Sequence, residues 1–191
     1  MIKKGFTLVE LLVVIAILAI AVTFILTIFT SSLRGSNKSQ IVSTIKQNGQ
    51  SVLETMDKTI RNSDNIVCPP LSGSTLVIVK DGIYTRYRFI APSALDNGSI
   101  QQDAPLQPAL SDIQSFINAV CIEPLQTPNI LTDTNPQTGV SAVNGLFTRT
   151  SQPGSKDSVT IRFDLSPGVS APQVVAGQID PQTFQTTVQL R

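Results

Sequence analysis

The sequence predicts an α+β protein, a long N-terminal helix packed on a C-terminal antiparallel β-sheet head. Three observations predict it. Residues 11–33 form a run of 23 residues without a charge, mostly Leu, Ile, Val and Ala. All 12 prolines of the 191-residue chain lie after Val67, so the first third lacks the residue that interrupts helices most strongly. Beyond Asn65 the texture changes to short β-branched runs between turn residues, the pattern of strands and loops.

The uncharged run is long enough to cross a membrane. At 1.5 Å per residue it reaches about 34 Å, against a hydrocarbon core of about 30 Å. Lys3 and Lys4 precede it and Arg34 and Lys38 follow it, so loop charge favours a cytoplasmic N-terminus only weakly. Lysines ahead of an apolar run also fit a cleaved secretory signal or a plain anchor. Two details oppose those readings. The run exceeds the roughly 7–15 residues of a secretory signal, and Ala19-Ile20-Ala21 is a weak cleavage site. Glu10 also puts a carboxylate at the start of the helix, where an ionisable group costs about 3 kcal/mol in hydrocarbon and points to function.

The helix is expected to continue through residues 34–64. Ile41, Ile45, Val52, Met56 and Ile60 recur mostly at four-residue steps, with Val42 and Leu53 beside them, giving one apolar stripe for the head to cover. The sustained heptads of a coiled coil are missing. Gly35 and Gly49 each weaken the helix by about 1 kcal/mol.

Residues 65–191 form the expected head. Segments 74–80 and 83–90 flank Asp81-Gly82, a strong hairpin signal. Alternation predicts strands at 158–165 and 183–190 and a short one at 146–150. Segment 112–122 reads equally as a short helix or a strand. Loops at 91–108 and 123–141 separate these pieces, and an antiparallel sheet of four or more strands on the outer half of the helix gives each apolar face a partner.

Composition excludes several functions. The chain carries 14 basic and 13 acidic residues, without the basic excess of a general nucleic-acid binder. It has no His, which removes the usual general base at neutral pH and the commonest metal ligand. Two cysteines cannot build a four-cysteine zinc site, and Cys68 and Cys121 are not a C-x-x-C pair. Nothing in the sequence requires a cofactor or a metal.

The residues Lys3-Lys4-Gly5-Phe6-Thr7-Leu8-Val9-Glu10-Leu11-Leu12 resemble the N-terminal signal of type IV prepilins and type II secretion pseudopilins. The resemblance implies that residues 1–5 are a leader peptide and that a prepilin peptidase cuts between Gly5 and Phe6. It further implies that the same enzyme methylates the new amine of Phe6, and that Glu10 is the carboxylate needed for assembly. Residues 6–33 would then be the transmembrane and assembly helix. Ala19 and Thr27 stand where many major pilins carry a helix-breaking Gly and Pro, which leans toward a minor pilin or a pseudopilin of the J or W type. The implied partners are the prepilin peptidase/methyltransferase, other pilin or pseudopilin subunits, an inner-membrane platform with its ATPase, and membrane lipid. The implied location is the inner membrane with the head outside, then a periplasmic or extracellular filament. In an exported chain the two cysteines suggest one disulfide, Cys68–Cys121; the alternative is two buried thiols.

Three weaker signals compete. Asp133, Asn135, Gln137 and Gly139 space their oxygens like the start of a calcium loop, but the sixth-position Gly is missing and Asn144 stands at the twelfth, so a polar turn is expected. Tyr84, Arg86, Tyr87, Arg88 and Phe89 could stack and hold nucleic acid. Strand alternation instead puts Tyr84, Arg86 and Arg88 on a solvent face and Tyr87 and Phe89 on the core face. Asp103, Asp112 and Glu123 are scattered along the sequence and do not suggest a carboxylate-pair enzyme. The functional expectation is a structural filament subunit. The rivals are a tip adhesin or DNA-binding subunit on the same anchor, and a membrane-tethered enzyme.

Overall fold

The structure is a computed structural model, and it describes residues 7–105, 113–172 and 176–191. The chain forms two units, Met1–Gln40 and Ile41–Arg191. Helix α1 is a single helix, Leu8–Arg61. Its first turn is closed by Thr7 and Glu10, and its last turn holds an Asp57–Arg61 pair at 2.7 Å, an i,i+4 arrangement that supports a helix. Ser63 ends it by donating its amide and hydroxyl to the Ile60 carbonyl.

In the first unit the apolar residues of α1 are exposed along their whole length, from Leu8 at 79% to Leu33 at 48%. The helix is long and apolar enough to cross a membrane. Three of its threonine hydroxyls bond inward: Thr23 donates to the Ile20 carbonyl, Thr27 to that of Thr23, and Thr30 to that of Leu26. Back-bonded in this way, a threonine leaves no donor unmet in an apolar medium.

In the second unit the expected stripe is the buried face of the helix, with Ile45, Gly49, Val52, Met56 and Ile60 all covered. It packs on two antiparallel sheets where the sequence suggested one. The first has the order β1-β3-β4-β5-β6, made of Asn65–Cys68, Thr75–Lys80, Ile83–Ile90, Ser99–Asp103 and Asn129–Ile130. The second has the order β2-β7-β8-β9, made of Ser72–Gly73, Val140–Thr150, Ser158–Pro167 and Gln182–Gln189. Strands β3 and β4 are the expected hairpin, with Asp81 and Gly82 both at positive φ (49° and 78°), as a tight hairpin turn requires. The sequence reading of β7 caught only its second half. A bulge between Val143 and Leu146 breaks the alternation before that point.

Both sheets share one core. Phe89 of β4 stacks on Phe147 of β7 with ring centroids 4.6 Å apart, and Phe163 of β8 stacks on Phe184 of β9 at 5.5 Å. Gly49 sits against the Phe184 ring, where a Cβ would overlap it. The glycine read as a weakness in the helix is therefore what lets helix and sheet meet. Arg149 ties the sheets together, pairing with Asp157 at 2.5 Å and donating to the Ile66 carbonyl of β1 at 3.1 Å.

Segment 113–122, ambiguous in sequence, is helical: α2, Ile113–Ile117, runs into a π-helical turn, Asn118–Ile122. Arg86 and Arg88 of β4 hold this segment through the Val120 and Cys121 carbonyls, and a disulfide joins Cys121 to Cys68 of β1.

Candidate functional site: the N-terminal segment

Gly5 and Phe6, the expected cleavage pair, lie outside the described residues, as do Lys3 and Lys4. Glu10 is described, and its geometry shows a contact that the sequence reading missed. Its Oε2 accepts from the Thr7 amide at 3.2 Å and from the Thr7 hydroxyl at 3.1 Å. In return the Glu10 amide donates to Thr7 Oγ1 at 3.3 Å. This reciprocal pair is a capping box, which satisfies two of the amides that every helix start leaves without a partner. The T-x-x-E spacing just before an apolar run was the available signal. Both side-chain bonds fall on Oε2, so Glu10 can cap its own helix and still present its other carboxylate oxygen. The carboxylate is exposed, and it also suits the positive end of the helix dipole.

The aromatic–arginine strand is not a surface. Alternation sorts the faces as expected, but the face read as solvent is covered by segment 113–124. Arg86 is 1% exposed and has all five of its N–H groups engaged. Nε and Nη2 bond the two oxygens of Asp103 at 2.8 and 2.6 Å. Nη1 reaches the Val120 and Glu123 carbonyls at 3.0 and 3.2 Å, and Nη2 also donates to the Pro124 carbonyl at 3.1 Å. Asp103 accepts the Gln126 amide as well. Beside it Arg88 donates to Thr75 and to the Cys121 carbonyl, and burial lowers its pKa, with the neighbouring Arg86 charge adding to the effect. A guanidinium with every donor taken has none left for a phosphate, so Arg86 does not serve nucleic acid. Its partner Asp103 seemed isolated in sequence because 17 residues separate the two.

The Asp133–Gly139 turn also uses its oxygens internally. Asp133 accepts the Asn135 amide, and Asn135 Oδ1 accepts those of Gln137 and Thr138. Among the described residues no group of three His, Cys, Asp or Glu side chains is placed to hold a metal ion. A cleft of about 700 Å³ between the end of α1 and the β3–β4 hairpin is lined by residues that include Lys58, Thr59, Ser63, Lys80, Asp81 and Thr85.

The N-terminal segment is thus an exposed apolar helix, carboxylate-capped at its first turn and followed in the chain by an antiparallel β head. Residues 1–26 match the family model described as the prokaryotic N-terminal methylation motif, which supports a type IV pilin-like or pseudopilin-like subunit. No curated protein and no solved structure matches the chain. The motif implies processing by a prepilin peptidase and assembly with other pilins, and with the apolar helix it fits membrane anchoring.

Proposed function

We propose that the chain is a structural subunit, of the minor kind, of a type IV pilus or a type II secretion pseudopilus. The peptidase cuts between Gly5 and Phe6, Phe6 is methylated, and residues 6–33 hold the subunit in the inner membrane before it enters the fibre with its head outside. The observation that carries this reading is the match of residues 1–26 to the methylation motif, a segment in which Glu10 is an exposed carboxylate.

Cleavage creates a cationic amine four residues from Glu10. In hydrocarbon both charges are costly alone and much less so together. The amine of an incoming subunit meets the free oxygen of Glu10 on a docked one, which sets axial register while apolar packing supplies cohesion.

The capping box offers a competing explanation of the same carboxylate, and two substitutions separate them. Glu10→Gln keeps the cap geometry and removes the charge; Glu10→Ala removes both. Filament recovery and N-terminal mass are measured for each. Under the proposal both variants insert and begin at methylated Phe6, and both fail to enter filaments. Normal assembly of Glu10→Gln would reduce Glu10 to a helix cap.

A further inference from the structure

Three of the four sheet edges in the head are blunted and one is open. In the first sheet, β1 has four residues, a register break between Ile66 and Cys68 and two prolines after it, and β6 has two residues preceded by Pro128. In the second sheet, β2 has two residues. Short length, bulges and prolines are the devices that stop edges from recruiting strands. The fourth edge, β9, is neither short nor bulged, and the one proline beside it, Pro181, lies just before the strand. Its eight residues, QTFQTTVQ, contain no charge and no proline and pair with β8 without a register break. Among the described residues, no backbone hydrogen bond from Gln182–Gln189 goes to anything but β8.

Opposite charges flank this neutral strand, Asp180 before it and Arg191 after it. Both are exposed, and among the described residues neither forms an ion pair. Antiparallel pairing of two such strands brings the Asp180 end of each beside the Arg191 end of the other, whereas parallel pairing sets like charges together.

We infer that β9 is an interaction edge whose occupant is β9 of a second copy of this chain, paired antiparallel. With the other edges blunted, identical copies can join only β9 to β9, which closes a two-fold pair and does not propagate. Main-chain hydrogen bonds supply the affinity of strand addition, and the flanking charges supply the direction.

The test uses the full chain in detergent micelles, with a photo-cross-linking amino acid in place of the exposed Gln185. The expected product is a covalent dimer whose cross-link maps to residues 182–189 of the second copy. Gln185→Lys should abolish it with the thermal midpoint unchanged, and Gln185→Thr should retain it. Asp180→Arg should weaken the dimer several-fold, and Asp180→Arg with Arg191→Asp should restore it, which a general effect on folding cannot do. A monomer throughout, cross-links to residues 8–40 or to a different protein, or no rescue by the charge swap would each overturn the inference.

Discussion

Arg86 and Asp103 are each 1% exposed at the side chain, and neither ion tolerates such a site without the other. Removing one partner of a buried pair costs about 3–5 kcal/mol, while replacing both with apolar residues is often neutral. Asp103→Asn should therefore lower the head's unfolding free energy by about that much in denaturant titration, and Arg86→Met with Asp103→Leu should recover most of the loss. Two partly exposed carboxylates contribute to the response to acid. A hydrogen bond from Ser151 holds Asp157 below its ordinary pKa; burial opposes it, and the hydrogen bond and charge of Arg149 add to the depression. At Asp164, burial works to raise the pKa, but the Thr183 hydroxyl, the Asn144 amide and the Arg162 charge outweigh it. A depressed carboxylate contributes stability that is complete above its unfolded pKa of about 3.9 and is lost as pH falls through the folded value. The thermal midpoint should be steady with respect to these groups between pH 7 and 5 and fall below pH 4, and Asp164→Asn should flatten that fall.

At the scale of elements, the disulfide closes a 53-residue span, for which chain entropy gives about 4 kcal/mol. Replacing both cysteines with serine should cost up to that much. Segment 113–122 should nonetheless keep its amide protection from hydrogen exchange, because Arg86 and Arg88 hold its carbonyls independently. Gly49→Ala poses a sharper choice. Helix propensity favours alanine by about 1 kcal/mol, yet the methyl would overlap the Phe184 ring, and overpacking costs about 1–3 kcal/mol. Calorimetry should show a net loss, and Gly49→Ala with Phe184→Leu should show less. The elements also show where sequence reading stops. The β3–β4 hairpin, β8 and β9 were legible because each carries several residues of alternation or a specific turn. Strands β2 and β6 have two residues each, too few for a period, and β5 reads Ser-Ile-Gln-Gln-Asp, so polarity hides it. The burial of Arg86 depends on carbonyls 34 to 38 residues away, which no local pattern encodes. The Glu10 cap, by contrast, was legible in four consecutive residues.

For the whole molecule, the unit Ile41–Arg191 holds the core while the apolar residues from Leu8 to Leu33 are exposed. Stability and attachment are therefore expected to respond to different substitutions. Glu10→Gln should leave the head's thermal midpoint unaltered, and Asp103→Asn should not change the proposed cleavage at Gly5, as read by the mature mass. The inward bonds of Thr23, Thr27 and Thr30 bear on how such a subunit changes surroundings. A hydroxyl that relied on a neighbouring chain would have to give up that bond on leaving lipid or on entering the fibre. Here each of these three threonine hydroxyls keeps a carbonyl of its own helix as its partner. The segment can exchange acyl chains for protein neighbours at no cost in these bonds, so under the proposed function the energy of that transfer rests on shape and on the charges at its tip.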